Sequence, residues 1–261
     1  MNDDKKSTRI FSIVNQKGGV GKTTTAINLA TALASAKKKI LLIDLDPQGN
    51  ASTGLGIESH DRQKNIYHLI TNQLTINEVI YKTKIPNLKI IPATVDLSAS
   101  EIELVNIENR EFILKNALHN ISDNFDIIII DCPPSLGMLT INALCASDSI
   151  LIPMQCEFFS LEGLSHLLNT VGLVKDNLNE SLQVSGIILT MHDKRNKLTE
   201  QVEEDVRDFL GDKVYLNYIP RNVKLSEAPS YGVPGVIYDS RSSGSLAYIK
   251  LANELIKKEN L

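Results

Sequence analysis

Residues 15–25 read N-Q-K-G-G-V-G-K-T-T-T, a glycine-rich segment that carries two lysines where the general phosphate-binding loop carries one. The general pattern G-x-x-x-x-G-K-[ST] requires glycine at position 16, where this chain has glutamine. The rest of the pattern is present at Gly21, Lys22 and Thr23. The segment is therefore a variant phosphate-binding loop, and its distinguishing feature is the additional lysine, Lys17.

Each residue type in this loop has a physical role toward a nucleotide. Because Gly18, Gly19 and Gly21 lack a Cβ atom, their backbone can adopt positive φ and turn N–H groups toward the β- and γ-phosphates. Lys22 would add a positive charge at the β and γ oxygens, and the Thr23 hydroxyl would be a magnesium ligand.

The flanking sequence supplies the strand and the helix that such a loop requires. Residues 9–14 are a short apolar run that predicts a buried parallel strand. After the loop, apolar residues recur at helical spacing, namely Ala26, Leu29, Ala30, Leu33 and Ala34. The loop therefore opens a helix whose N-terminus faces the phosphates. The alternative is a glycine-rich turn with an incidental lysine. It does not explain why a strand directly precedes the loop and a helix directly follows it.

A second motif lies where four consecutive isoleucines, 127–130, end in Asp131. A carboxylate at the end of a buried strand beside a phosphate loop can hold Mg²⁺, often through water, as in the Walker B pattern. The alternative is an aspartate that caps the next helix. Many related ATPases place a glutamate next to orient the attacking water, but here Cys132 and two prolines follow. The water must be positioned by another residue.

The segment L-L-I-D-L-D-P-Q-G-N at 41–50 supplies candidates for that role. Alternation along a strand end would place Asp44 and Asp46 on the same side, near the γ-phosphate. Pro47 and Gly49 then break the strand into a loop that can move with nucleotide state. One of the two aspartates could instead be structural and accept hydrogen bonds from loop N–H groups.

Apolar runs and helix-period segments alternate along the chain, which predicts an α/β fold. We expect a single P-loop NTPase domain over 8–261 with a mostly parallel, twisted sheet of about seven to eight strands and helices on both faces. Residues 1–7 are expected to be a disordered tail. The predicted strands are 9–14, 39–44, 88–92, 126–131, 149–153, 183–190 and 214–219. The predicted helices are 22–36, 98–105, 109–122, 138–147, 161–177, 197–210 and 244–258, with short ones near 66–70 and 76–81.

Composition limits the partners and the compartment. The chain has 261 residues and a formal net charge of −4, so any contact with nucleic acid must come from a local basic patch. Its three cysteines, Cys132, Cys145 and Cys156, form no C-x-x-C pair and are expected to be packing residues in a reducing compartment. No apolar run approaches the length of a membrane span, so a cytoplasmic location is expected.

Six sequence blocks together resemble the ParA/Soj family of partition ATPases. They are K-G-G-V-G-K-T-T, D-L-D-P-Q-G-N, I-P-A-T-V-D-L at 91–97, I-I-D-C-P-P-S-L-G at 129–137, Q-C-E-F-F-S-L-E-G at 155–163 and I-P-R-N-V-K-L-S-E-A-P-S at 219–230. These blocks are spread over nearly the whole chain. The resemblance implies a slow, partner-stimulated ATPase that uses ATP and Mg²⁺ and forms a sandwich dimer on ATP binding.

The same resemblance implies roles for individual residues. Lys17 of each subunit would reach the phosphates bound by the other, with Gly18 at the close crossing between subunits, so that charge stabilisation depends on dimerisation. Asp46 would position the water, Asp44 and Asp131 would serve the magnesium shell, and Thr23 would bind the ion directly. The implied ATP contacts are Lys17, Gly18, Gly19, Val20, Gly21, Lys22, Thr23 and Thr24, with the adenine pocket at Met191, Pro220, Arg221 and Asn222.

The resemblance also implies non-specific binding of double-stranded DNA and a ParB-type centromere-binding partner, with a nucleoid-associated location. Candidate DNA contacts are the basic residues Lys194, Arg195, Arg221 and Lys224, with Lys197 nearby. Each of them alone could be an ordinary solvated charge. Two copies related by dimer symmetry could neutralise several phosphates.

Two other classes of protein share parts of this pattern. A MinD-like membrane-cycling ATPase would carry a C-terminal amphipathic membrane helix, whereas the last predicted helix here has its apolar residues on one side and is expected to dock on the core. Lys257 and Lys258, near the end of this helix, would still permit weak binding to a membrane surface. A cluster-carrying ATPase would need cysteines that bridge a dimer, and the cysteine spacing argues against it.

Overall fold

The computed structural model describes residues 8–121, 124–157 and 160–261. The predicted disordered tail, 1–7, lies outside the described residues, so that expectation stays a prediction. The strands are β1 (Arg9–Ile13), β2 (Ile40–Asp44), β3 (Tyr81–Lys82), β4 (Leu88–Ile91), β5 (Ile127–Asp131), β6 (Ser149–Gln155) and β7 (Gln183–Thr190). The α-helices are α1 (Lys22–Ser35), α2 (Asn50–Gly54), α3 (Ile66–Ile70), α4 (Leu97–Glu103), α5 (Ile113–His119), α6 (Met138–Ala146), α7 (Ser160–Asn177), α8 (Lys197–Leu210), α9 (Val223–Glu227), α10 (Gly235–Tyr238) and α11 (Ser243–Glu259).

The strands of the described chain form one seven-stranded sheet in the order β3-β4-β2-β5-β1-β6-β7. All neighbouring pairs are parallel except β3 with β4, which are antiparallel. In the register of β2 with β5, Asp44 is the partner of Asp131. The two aspartates predicted to serve magnesium therefore lie side by side at the carboxyl edge of the sheet.

Two hydrophobic cores cover the two faces of the sheet, as expected for strands that are apolar on both sides. Side chains from α3 to α8 pack on one face, and side chains from α1, α2 and α9 to α11 pack on the other. The isoleucines of β5 alternate between them: Ile128 and Ile130 belong to the first core, and Ile127 and Ile129 to the second. The predicted α/β class and the two helical layers are confirmed.

One predicted strand, 214–219, is wrong. This segment forms no strand; it makes two isolated bridges, Val214 with Ile187 of β7 and Pro220 with His192, which lies beyond the end of β7. Between them the chain leaves the sheet because the N–H groups of Leu216 and Asn217 donate to the Glu254 carboxylate of α11 at 2.7 and 3.2 Å. A side chain from a distant helix thus replaces the ladder hydrogen bonds that a regular strand would need.

Other element boundaries also differ from the sequence prediction. The short helix expected at 76–81 is a 3₁₀ turn at Ile76–Glu78, and Tyr81 begins β3, the antiparallel edge strand. The helices expected at 98–105 and 109–122 are α4 and α5, each joined to a 3₁₀ turn, and residue 122 lies outside the described part. Strand β6 continues two residues beyond the predicted 149–153.

Among the residues that the structure describes, no helix is both long and apolar enough to span a membrane. The three cysteines are free and buried, as predicted for packing residues.

Candidate functional site

The glycine-rich loop joins β1 to α1 and is fixed at its start by Asn15. The Asn15 side chain donates to the Pro153 carbonyl at 2.7 Å and accepts the Lys17 N–H at 2.9 Å. Gly19 and Gly21 have φ of 74° and 87°, as predicted. Gly18 is not among the positive-φ glycines, so of the three loop glycines only Gly19 and Gly21 use the positive φ that glycine permits. An added Cβ at Gly18 would meet nothing within 4 Å, so the space around it is open.

Side chains from two other strands hold the carbonyl groups of this loop. The Thr190 hydroxyl donates to the Val20 carbonyl at 2.8 Å, and the Gln155 amide donates to the Gly19 carbonyl at 3.1 Å. Both carbonyls are therefore already bound by donors of the protein. Sequence reasoning assigned no role to Thr190 or Gln155, although Gln155 opens one of the blocks that carry the family resemblance.

The N-terminus of α1 provides an anion site. Its N-cap is Gly21 in the left-handed conformation, no side chain caps the helix, and its first turn holds no acidic residue. The first N–H groups of a helix have no intrahelical acceptor and carry partial positive charge. Together with the loop they form a cradle suited to phosphate oxygens.

Lys22, the first residue of α1, is only 7% exposed, and its Nζ donates to the Lys17 carbonyl at 3.1 Å. Burial lowers the pKa of Lys22, and the nearby Asp131 carboxylate partly opposes this shift. A bound phosphate would supply the negative charge that this buried ammonium lacks.

Asp131 ends β5 and is fully buried, yet neither of its carboxylate oxygens has a hydrogen-bond partner. Burial raises the pKa of Asp131 well above its ordinary value, and the charge of Asp44 adds to the effect, whereas Thr23 and Lys22 oppose it. An unpartnered buried carboxylate is costly, so it indicates a missing cation or donor. Asp131 therefore fits a magnesium site together with Thr23.

Asp44 is also fully buried, but its carboxylate is already bound. One oxygen accepts the Ser52 N–H and hydroxyl at 2.8 and 2.7 Å, and the other accepts the Asp46 N–H at 3.3 Å. Burial raises the pKa of Asp44 to about 6 in spite of these hydrogen bonds. Its contacts are those of a residue that holds the following loop in place, and its part in a magnesium shell stays a prediction.

Asp46 lies in the loop after β2 rather than on the strand, which ends at Asp44. The alternation that placed both side chains on one side of a strand does not apply beyond that point. One Asp46 carboxylate oxygen accepts the Gln48 N–H at 2.9 Å, and its backbone carbonyl accepts the Gly49 N–H at 2.9 Å. In the part of the chain that the structure describes, the loop binds only this one oxygen of the Asp46 carboxylate.

Within the described residues, no group of three or more His, Cys, Asp and Glu side chains forms a metal cage. Magnesium does not require one, because it usually binds through one or two protein oxygens, waters and substrate phosphates.

Lys17, the additional lysine, forms an ion pair with Glu157, which follows β6. The side chains of Lys17 and Glu157 are 43% and 51% exposed. Sequence reasoning missed Glu157, which lies just after β6 in the block that opens with Gln155.

The four residues predicted for the adenine pocket come together. Met191 has φ of 49° and is followed by His192, whose N–H donates to the Ile219 carbonyl at 3.0 Å, so the 191–192 turn lies beside Pro220. A small cavity of about 80 Å³ lies between this turn and the phosphate loop. It is lined by Gly21, Thr24, Thr190, Met191, Ile219, Pro220, Arg221, Asn222, Leu225, Ser226 and Tyr248. The position fits a base next to bound phosphates, and the assignment stays a prediction.

The candidate DNA contacts are exposed but partly paired. Arg195 donates to both carboxylate oxygens of Asp193, at 2.9 and 2.8 Å, and Lys224 pairs with Glu227 at 3.0 Å. Lys194 lies over the Tyr218 ring, 5.3 Å from its centroid. Arg195, and to a lesser extent Arg221, lowers the pKa of Asp193. The structure therefore places Lys194, Arg195 and Arg221 near one another and Lys224 on α9, and it supplies acidic neighbours, Asp193 and Glu227, that the sequence did not indicate.

A parallel sheet with the phosphate cradle between β1 and α1, and with buried aspartates at the ends of β2 and β5, defines a P-loop nucleotide-binding domain. Within that class, the second loop lysine marks the deviant Walker A group.

Comparison with known proteins agrees with this class. Residues 8–184 match the family model described as an AAA domain. The chain is 54% identical to the sporulation initiation inhibitor protein Soj of Bacillus subtilis, over 95% of this chain and 98% of that protein. It is 52% identical to the chromosome partitioning protein ParA of Myxococcus xanthus, over 96% of this chain and 89% of that protein. The chain belongs to the ParA/Soj family of chromosome partitioning ATPases.

Solved structures show the same fold. Cobyrinic acid a,c-diamide synthase of Mycobacterium smegmatis, with a bound ATP analogue and magnesium, matches with a TM-score of 0.86 at 32% identity, over 97% of this chain and 96% of that one. The septum site-determining protein MinD of Pyrococcus horikoshii, complexed with Mg-ADP, matches with a TM-score of 0.78 at 28% identity, over 96% of each chain.

Proposed function

We propose that this protein is an ATPase of chromosome or plasmid partitioning that dimerises on ATP and Mg²⁺ and then binds non-specific double-stranded DNA. It converts ATP and water to ADP and phosphate slowly on its own, and a ParB-type centromere-binding protein stimulates it. It acts in the cytoplasm on the nucleoid. The partitioning relatives and the structures with bound ATP analogue or Mg-ADP support this proposal.

The observation that carries the proposal is the different placement of the two loop lysines. Lys22 and the N-terminus of α1 already form a phosphate cradle within one subunit. Lys17 is not needed there, and its half-exposed side chain is held at the surface by Glu157. A lysine held at the edge of the cradle can serve phosphates bound by a second subunit, as an arginine finger does in trans.

The residues of the site have distinct parts in hydrolysis. Thr23 and Asp131 would hold magnesium, which supplies charge neutralisation at the phosphates when bound. Thr24 and the backbone from Gly18 to Gly21 would bind and orient the phosphates. Asp46, whose second carboxylate oxygen is unused by the loop, would orient the attacking water toward the γ-phosphate.

The packing of the last helix favours this function over membrane cycling. The apolar side of α11 is buried against α1 and its neighbours, through Tyr248, Leu251, Ala252 and Leu255. That side cannot insert into a lipid surface without leaving the core.

The decisive experiment measures binding of a non-specific duplex to the protein with ATP, with ADP and without nucleotide. Binding is expected only with ATP. Asp46→Ala, which lacks the water-positioning group but keeps the phosphate cradle, should accumulate an ATP-bound dimer that binds DNA while turnover falls. Equal DNA binding in all three nucleotide conditions would contradict the proposal, and unchanged hydrolysis in Asp46→Ala would move the water-positioning role to another group. Sedimentation with anionic lipid vesicles tests the MinD-like alternative, for which ATP-dependent pelleting would be expected.

A further inference from the structure

Arg62 is a buried arginine that uses all of its donors on the two loops beside the candidate site. It is 5% exposed, and no carboxylate in the described chain forms an ion pair with it. Its Nη1 donates to the carbonyls of Gly49 and Ala93, both at 3.1 Å. Its Nε and Nη2 donate to the Ile57 carbonyl at 3.0 and 2.7 Å, and Nη2 also donates to the Thr53 hydroxyl at 2.7 Å. A guanidinium has five N–H donors, so none is left over.

These hydrogen bonds join the loop after β2 to the loop after β4. Gly49 belongs to the first loop and Ala93 to the second, and the same Nη1 atom holds both carbonyls. A second link runs in parallel, because the Ala93 N–H donates to the Ser52 hydroxyl at 3.0 Å and that hydroxyl donates to Asp44 at 2.7 Å. The two loops are therefore fixed to each other through a buried polar network.

The network reaches Asp46 through Gly49. The Gly49 N–H closes a tight turn by donating to the Asp46 carbonyl at 2.9 Å, while Arg62 binds the carbonyl of the same glycine. The turn is packed closely: Gly49 has φ of 63°, and a Cβ there would overlap Arg62 and lie 2.8 Å from the Ala93 oxygen. The place of the Asp46 carboxylate thus depends on where Arg62 holds Gly49.

We propose that Arg62 is a positioning residue for hydrolysis: it fixes the 46–49 turn against the loop after β4 so that Asp46 can orient the attacking water. This inference rests on the proposed role of Asp46. All five Arg62 donors bind groups of the protein, so none is free for a nucleotide; Arg62 would act on turnover and leave phosphate binding to the loop and Lys22.

The test compares Arg62→Lys with Arg207→Lys, a matched control. Lysine keeps the charge but cannot bind Gly49, Ala93, Ile57 and Thr53 together. Arg207 lies on α8, where it pairs with Glu203 at 2.8 Å and donates to the Tyr215 carbonyl at 3.3 Å, away from the 46–49 turn. For Arg62→Lys we expect kcat to fall about 10- to 100-fold, because small misplacements of a reacting group cost that much. ATP affinity should stay within about twofold and the ATP-bound dimer should accumulate. Arg207→Lys should lower thermal stability without changing kcat.

A second readout does not depend on ATPase activity. Amide hydrogen exchange of Gln48 and Gly49 should become faster in Arg62→Lys than in the wild type, while exchange in β5 stays unchanged. Combining Arg62→Lys with Asp46→Ala should give the same dimer accumulation as Asp46→Ala alone, since both act on one step.

The outcomes are distinguishable. If wild type hydrolyses no ATP, the proposed function fails, and the exchange measurement still decides whether Arg62 holds the turn. If Arg62→Lys loses ATP affinity and turnover in proportion to its folded fraction, Arg62 is only structural and the inference is wrong. Unchanged kcat with unchanged exchange at Gln48 and Gly49 would also overturn it.

Discussion

Lys17 and Lys22 are of one residue type in one loop, yet their surroundings give them different properties. The Lys22 side chain is buried at the N-terminus of α1, and its pKa is lowered by burial. Lys17 is half exposed and paired with Glu157 at the surface. A surface ion pair of this kind contributes about 0–1 kcal/mol to the free energy of folding, so either partner can be replaced without unfolding the protein. The two lysines can therefore be separated by mutation.

Lys17→Ala is expected to leave a folded monomer that binds ATP but neither dimerises nor hydrolyses it, because Lys22 and the backbone N–H groups still hold the phosphates. Lys22→Ala should instead lose nucleotide binding. Size-exclusion chromatography with ATP, together with a nucleotide-binding titration, measures both effects. A normal ATP-dependent dimer from Lys17→Ala would end the interpretation of Lys17 as a residue that acts in trans.

The buried aspartates give the nucleotide-free protein a specific pH dependence. Burial raises the pKa of Asp44 to about 6, above the value of about 3.9 for an unfolded aspartate. The folded state therefore holds a proton that the unfolded state has lost between about pH 4 and pH 6. The stability contributed by this proton is fully present below about pH 4 and is lost as pH rises through 6, a change on the order of 2–3 kcal/mol.

Urea unfolding of wild type and Asp44→Asn from pH 4.5 to 7.5 tests this dependence. The asparagine carries no charge at any pH, so Asp44→Asn should gain stability relative to wild type as the pH rises. Parallel stability curves for the two proteins would show that the Asp44 carboxyl does not titrate in this range.

At the scale of elements, a glycine in β7, Gly186, lets the irregular segment after α8 pack closely against the strand. A Cβ at Gly186 would lie 2.5 Å from the Lys213 carbonyl oxygen and 2.7 Å from the Tyr215 ring. The chain after α8 therefore approaches β7 closely at Gly186, which has no side chain to project toward it. Tyr215 is then held by its N–H bond to the Ile187 carbonyl at 2.9 Å.

Gly186→Ala is expected to lower the free energy of unfolding by about 1–3 kcal/mol, since the added methyl overpacks this contact. Gly172→Ala is the matched control, because a Cβ there meets nothing within 4 Å and the residue lies inside helix α7. That control should be stabilising by about 0.5–1 kcal/mol. Denaturant unfolding of both variants measures the difference, and equal effects would contradict the close approach at Gly186.

Strongly patterned elements could be predicted from sequence, and those set by distant contacts could not. The isoleucine run of β5 and the helical spacing after Gly21 have local causes, and the structure confirms both elements. The 214–219 segment has strand composition, but Glu254 takes its N–H groups from another part of the chain. In the site, the loop glycines and Asp131 stand in recognisable motifs, whereas Glu157, Ser52 and Arg62 act through contacts that no local pattern encodes.

For the whole molecule, the distribution of charge matters more than the net value of −4. The candidate DNA patch joins the loop after β7 with α9, and two of its cations already have acidic neighbours, Asp193 for Arg195 and Glu227 for Lys224. One monomer therefore presents a weak patch. The proposed dimer would bring two patches together, and DNA phosphates could then compete with these carboxylates.

DNA binding is expected to require ATP, show little sequence preference and weaken steeply with salt, with a log–log slope of about −0.9 per neutralised phosphate. Lys224→Ala, present in both subunits, should remove about two phosphate contacts and make the salt dependence correspondingly shallower. ATP-dependent dimerisation should not change. Glu227→Gln, which releases Lys224, should strengthen binding. Fluorescence anisotropy of a labelled duplex over a series of salt concentrations measures the DNA affinity of wild type, Lys224→Ala and Glu227→Gln.

Lys175→Ala, an exposed change on α7, is the control for loss of one positive charge elsewhere. If a double variant with Lys224→Ala and Arg195→Ala bound DNA like wild type at every salt concentration, the patch would have to lie on another surface.

The alternation of β5 between the two cores has a consequence for how the protein can vary. Ile128 and Ile130 are packed by the helices of one face, Ile127 and Ile129 by those of the other, and the strand ends directly in Asp131. A repacking of either layer that shifts this strand also shifts the carboxylate at its end. The position of the Asp131 carboxylate therefore depends on the packing of both cores. A redesign of either core must conserve the side-chain volume around β5 to keep this carboxylate in place.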